Sequence, residues 1–127
     1  MEINEILSST ELNNCEYIST FGVYKIYQAI EDVEYLFAID SNNLICSCFE
    51  FVEREDGYLL AHMHTIKSLK GQGIGKHILE EAVEIYDSFE LPSTNRNDIY
   101  YFIEDGYSWI LRRFEDGTLS FPKFIRP

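Results

Sequence analysis

Two kinds of group able to do chemistry lie close together in this chain: a histidine pair, His62 and His64, and a glycine-rich run, Gly71-Gln72-Gly73-Ile74-Gly75-Lys76. Histidines two apart on a strand share one face and titrate near neutral pH. Glycines at alternate positions let a backbone approach a ligand with no Cβ in the way. The helix that follows aims unpaired N–H groups and a partial positive charge at whatever fills the turn, which makes a phosphate cradle. A Walker loop is excluded, because Lys70 stands where its first glycine must be and His77 follows Gly75-Lys76. The dinucleotide fingerprint is excluded too, since Lys76 occupies its third glycine. What remains is Lys70-x-x-Gly73-x-Gly75, or a strand-to-helix turn that holds nothing.

The elements that must position these groups can be read from periodicity. Residues 2–13 suggest a short amphipathic helix or turn. Gly22–Ile30, Val33–Asp40, Leu44–Arg54 and Tyr58–Ile66 read as four strands joined by polar turns such as Ser41-Asn42-Asn43 and Glu55-Asp56-Gly57. Turns so short imply an antiparallel meander, because parallel crossovers need a dozen or more residues. After the glycine run, Ile74, Ile78, Leu79, Ala82, Val83 and Tyr86 form one apolar helical stripe that ends near Asp87-Ser88. Phe89–Thr94 reads as a brief strand weakened by Pro92, Asn97–Glu104 as a second short helix, and Tyr107–Phe114 as a strand turned back by Glu115-Asp116-Gly117 into Thr118–Phe121.

The Lys70-x-x-Gly73-x-Gly75 run resembles the acyl-coenzyme A pyrophosphate loop of the GNAT superfamily of N-acetyltransferases, whose pattern is Gln/Arg-x-x-Gly-x-Gly/Ala, with Lys70 a departure that keeps a cation. The segment Asn95 to Tyr107 is similar to a second family pattern, Asn-x-x-Ala-x-x-x-Tyr-x-x-x-Gly-Phe: Asn95, Gly106 and Tyr107 match, while Asp98 and Phe102 replace the alanine and the tyrosine. The resemblance covers about residues 22–121. It implies an α+β GNAT fold (α/β/α sandwich-like) over residues 1–127. The sheet would be mixed and mostly antiparallel, the main amphipathic helix would follow the fourth strand, and the first helices would be shortened as in small phage- or plasmid-type members.

The resemblance also implies roles. Acetyl-coenzyme A would lie at the mouth of splayed fourth and fifth strands. Its pyrophosphate would sit on the amides of Gly71, Gln72, Gly73, Ile74, Gly75 and Lys76 beside Lys70. Its pantetheine arm would meet the backbone near Met63, His64 and Thr65, with Asn95 and Phe102 close by. The acetyl group would pass directly to a primary amine, so a base must take a proton from a group whose pKa is near 10. His62 or His64 resembles the histidine pair of the arylalkylamine acetyltransferases; Glu50 and Glu53 are alternative bases or plain solvated charges. The family's tyrosine acid is replaced by Phe102, which has no proton to give, leaving Tyr101 or water, or a copy without activity.

Composition bounds the partners. At 127 residues, 46% hydrophobic and 15% aromatic, the chain reads as one globular domain without a membrane span. Met1-Glu2-Ile3-Asn4-Glu5 lacks the basic region of a signal peptide, and Cys15, Cys46 and Cys48 have no metal spacing, so reduced thiols in a cytoplasmic protein are expected and no metal. The net charge of −12 divides into −10 for residues 1–66 and −2 for residues 67–127, where Lys67, Lys70 and Lys76 cluster. An anionic cofactor at the loop and a cationic amine or lysine-bearing protein elsewhere suit that division. Direct binding of nucleic acid does not, for want of a basic stripe. The acidic half also fits a second reading: a weakly active or inactive GNAT-scaffold protein docking on a basic partner, such as a phage-type inhibitor of a host defence protein. Tyr100, Tyr101 and Trp109 are candidates for a homodimer contact.

Overall fold

A computed structural model describes Ile3 and residues 5–120. Five strands, β1 (Glu16–Phe21), β2 (Tyr24–Ile30), β3 (Glu34–Ile39), β4 (Ile45–Arg54) and β5 (Gly57–Thr65), form one antiparallel sheet in sequential order. A short helix α1 (Ser9–Asn13) precedes them, a 3-10 turn (Lys67–Leu69) follows β5, and α2 (Ile74–Tyr86) and α3 (Glu104–Glu115) complete the fold. The class is therefore α+β, with every pair of these strands antiparallel. Parallel contact is confined to isolated bridges, Leu59 with Glu90 and Ser93 with Tyr101.

Each turn has a local cause. Gly22 enters the β1–β2 hairpin at φ 61°, where a Cβ would strain the backbone, and Phe21 pairs with Tyr24 across the two-residue loop. The Asp40 carboxylate accepts the amides of Asn42 and Leu44 at 2.8 and 3.1 Å and shapes the β3–β4 turn. Ser8 and Glu11 close a capping box on α1.

The sheet has one thickly and one thinly covered face. Ile26, Leu36, Ala38, Phe49, Phe51 and Leu60 pack against Ile74, Ile78, Leu79 and Ala82 of α2 and Ile110 of α3. On the other face Ala29, Phe37, Ile39, Ile45 and Cys48 are covered, among the described residues, by Leu7, Ile3, Leu12 and Cys15 of the N-terminal segment. Among the described residues no helix is long and apolar enough to cross a membrane.

Several elements differ from the sequence-based expectation. The strand expected over Gly22–Ile30 starts at Tyr24, and an unexpected strand, Glu16–Phe21, pairs with it, so the meander has five strands and the glycine run follows the fifth. Phe89–Thr94 reduces to the single bridge at Glu90 and that at Ser93. Residues 97–103 are turns and bends rather than a helix, and Tyr107–Phe114 is helical rather than a strand. The helix wins there because Tyr107, Ile110 and Phe114 recur at helical spacing, with Glu104 and Asp105 in the first turn and Arg112 and Arg113 in the last, the order a helix dipole favours. Gly117, at φ 85°, ends that helix, and Leu119 N–H donates to the Arg113 carbonyl at 3.0 Å instead of starting a hairpin; Phe121 lies outside the described residues.

Candidate functional site

The glycine run leaves β5 through the 3-10 turn and enters α2. Gly71 and Gly73 adopt φ 87° and 86°, conformations that an L side chain resists, and Gly73 is the α2 N-cap with no side-chain cap. The amide N–H groups from Gly71 to Lys76 find no acceptor among the described residues; the first α2 amide to find one is His77, bonded to the Gly73 carbonyl at 3.0 Å. Gly71 through Gly73 are exposed. These orphan donors at an open helix N-terminus suit an anion.

Two aromatic walls flank the run. A Cβ at Gly73 would stand 3.4 Å from the Phe21 ring, and one at Gly75 would stand 3.3 Å from Trp109, whereas one at Gly71 would meet nothing within 4 Å. The outer part of the run is thus open, and its inner part is packed. Phe21 also stacks on His77 at 4.9 Å, and the Ser19 hydroxyl lies 3.0 Å from His77 Nε2, tying β1 to α2. Trp109 meets Phe49 edge-on at 6.1 Å and carries the Arg113 guanidinium over its ring at 4.8 Å. The Asp116 carboxyl is held below its ordinary range, first by hydrogen bonds from Thr118 and also by Arg113 and Lys76. That places Lys76 and Arg113 in one electrostatic neighbourhood. Lys70 is exposed beside the run.

His62 and His64 lie on the thinly covered face of β5, opposite Glu50 and Cys48 of β4, and both are exposed. His62 Nε2 is 3.4 Å from Glu50 Oε2. The register skips Ala61 just before His62, a bulge that re-aims the strand beside the pair. Beyond Leu60, whose N–H donates to the Glu90 carbonyl at 2.9 Å, no strand pairs with the outer edge of β5 among the described residues. Met63 is half-buried towards Gly106 of α3, and the Thr65 hydroxyl is 2.7 Å from Ser47 Oγ. Burial pushes the Cys48 thiol up to about 12, so it is a neutral packing group and not a nucleophile near neutral pH.

The second sequence pattern does not form the geometry its family resemblance implies. Gly106 and Tyr107 sit in the first turn of α3 rather than after a helix. Asn95 is exposed and uses its Oδ1 to accept the Asn97 amide at 3.0 Å. Phe102 is buried beside Tyr107 and Gly106. Tyr101 is exposed, and no contact joins it to either histidine among the described residues; Tyr100, named on sequence only for a dimer contact, meets His62 edge-on at 5.6 Å. Trp109 is half-buried, with its ring edge-on to Phe49. Sequence reading missed Ser19, Phe21, Trp109 and Arg113 as walls of the run. The aromatic, β-branched stretch Tyr17-Ile18-Ser19-Thr20-Phe21 ahead of Gly22 was the available signal for the first two.

No family model matches the chain, and neither a curated protein nor a solved structure shows a significant match. Among the described residues no cluster of histidine, cysteine and carboxylate groups could hold a metal ion.

Proposed function

We propose that this protein is an N-acetyltransferase on a GNAT-like scaffold, moving acetyl from acetyl-coenzyme A to a primary amine by direct transfer. The observation that carries this reading is that the amides from Gly71 to Lys76, at the mouth of α2, find no acceptor among the described residues. Those amides, with Lys70 and Lys76, would hold the diphosphate. The unpaired outer edge of β5 at Met63, His64 and Thr65, next to the Ala61 bulge, would hold the pantetheine arm through its backbone. When bound, acetyl-coenzyme A supplies the thioester carbonyl that the amine attacks.

The chain's own contribution is positioning and one proton transfer. His62 takes the proton of the incoming ammonium, and Glu50, held against its Nε2, orients the ring. Phe102 gives no proton and Tyr101 has no contact with the histidines, so solvent returns the proton to the leaving sulfur. With Cys48 neutral and buried, no acyl-enzyme on that residue is invoked. The acceptor is a small cationic amine or a protein lysine, drawn by the acidic half of the chain, and three free cysteines agree with a cytoplasmic setting.

Isothermal calorimetry tests the cradle directly. Acetyl-coenzyme A should bind the native chain, and Gly73→Glu, which sets a carboxylate among the orphan amides, should weaken binding by at least ~100-fold. Equal affinities would remove the loop from the site. A non-catalytic acidic protein that docks on a basic partner is the competing reading, favoured by the packing of Trp109 over Gly75 and by the burial of Phe102. It predicts no thermal stabilisation by acetyl-coenzyme A at millimolar concentration.

A further inference from the structure

Eight large hydrophobic residues are exposed among the described residues, and three of them fall within five positions: Ile99 at 86%, Tyr101 at 41% and Ile103 at 64%. That concentration is not the scatter of single apolar residues expected on a surface. The intervening residues anchor the segment. Phe102 is buried and its N–H donates to the Ser93 carbonyl at 2.8 Å, while Tyr100 rests against His62 and under the Arg54 guanidinium at 5.9 Å. Asn95 and Ser93 close the preceding turn through the Asn95 and Asn97 amides. The result is a fixed apolar ridge, which needs little ordering to bind.

The charges beside it select its occupant. Glu53, Glu55 and Asp56 from the β4–β5 hairpin and Asp98, Glu104 and Asp105 from the ridge's own flanks are all exposed. Arg54 and Arg96 are the opposing cations in these two stretches, and Arg54 is turned onto Tyr100. An isologous contact with a second copy would bring these carboxylates against their own symmetry mates in a chain of net charge −12. An anionic membrane surface is repelled in the same way.

We propose that the ridge Ile99-Tyr100-Tyr101, with Ile103, docks a segment of another protein that alternates basic and apolar side chains. Apolar side chains of that segment cover the isoleucines, and its cations meet the flanking carboxylates. Tyr100 leads the ridge to His62 and Glu50, so a lysine of the docked segment arrives at the candidate base. Under the transferase reading the acceptor is therefore a protein lysine rather than a small amine, but the docking itself does not depend on that reading.

The test omits coenzyme A. Isotope-labelled protein is titrated with a short synthetic peptide alternating lysine and leucine, and amide shifts are followed by NMR. The shifts should cluster on residues 98–105 and around His62. The variant Ile99→Ser/Ile103→Ser should melt no lower than the native chain, because both side chains are exposed and serine suits the uncapped start of α3, and bind the peptide at least ~10-fold more weakly. A lysine–serine peptide of equal charge should bind the native chain with a similar loss. Equal binding of the two peptides, equal binding by the variant, shifts centred elsewhere, or a dimer in sedimentation that the variant disperses would each overturn the proposal. Peptide binding without acetyl-coenzyme A binding would uphold the docking surface while the transferase reading fell.

Discussion

The two faces of the β4–β5 pair carry opposite loads. Phe49, Phe51 and Leu60 point into the layer under α2 and α3, where Phe51 meets Tyr86 at 4.8 Å and Phe89 at 5.2 Å. Glu50 between the two phenylalanines, and His62 and His64 beyond the Ala61 bulge, stand on the opposite face, where Glu50 is half-buried and both histidines are exposed. Consecutive residues thus serve packing and chemistry in turn, because side chains alternate across a strand. Substitutions on the two faces of this strand pair should therefore separate stability from binding. Phe51→Ala, which empties a fully buried aromatic site, should cost about 3–5 kcal/mol in urea unfolding. His62→Ala should stay within ~0.5 kcal/mol of native while lowering amine transfer. Comparable losses of stability from the two would break the comparison.

The same contrast divides the glycine run. Its outer half is open and its inner half is walled by Trp109, whose ring bridges Phe49, Gly75 and Arg113. Trp109→Ala removes those contacts from a half-buried position, so the expected cost is about 2 kcal/mol, less than at a fully buried aromatic. If Trp109 is a wall of the anion site, the variant should also bind acetyl-coenzyme A more weakly in calorimetry. Tighter binding would make the ring a cover over the amides and sharpen the case for a docking protein.

What could be read in the sequence follows from where the physics is local. The α2 stripe from Ile74 to Tyr86 and the strands ending at Ile30, Ile39, Arg54 and Thr65 were legible because their periodicity is fixed by one buried face. The stretch 97–115 was not. The short helix expected over Asn97–Glu104 ended before Gly106, whereas the charge order Glu104-Asp105 to Arg112-Arg113 puts Gly106 in the first turn of α3. At the site, the alternate glycines and the shared face of His62 and His64 were visible from spacing alone. The Trp109 wall, the Tyr100 contact and the clamp of Phe21 on His77 are tertiary and left no local mark.

The packed face also contains a half-buried polar knot, and it yields the smallest expected effect. The Tyr86 hydroxyl donates to Glu34 Oε1 at 2.8 Å, Gln28 Nε2 donates to the same oxygen at 3.2 Å, and the Tyr58 ring lies 4.5 Å from that of Tyr86. Burial raises the Tyr86 hydroxyl, and the Glu34 carboxylate is the main cause that pushes Tyr58 up to about 12. An unfolded tyrosine releases its proton near 10, so between about 10 and about 12 the unfolded chain is ionised at Tyr58 while the folded chain is not. The contribution is complete below that window and is lost as pH rises through it. Tyr58→Phe lacks this proton, so its unfolding midpoint should fall less steeply than that of the native chain over the same window, all other alkaline titrations being common to both. A gap between the two midpoints that stayed constant from pH about 9 to about 12 would mean that Tyr58 ionises alike in both states. Tyr58 would then join the knot through its ring packing on Tyr86 alone, as the aromatic contacts around Phe51 do.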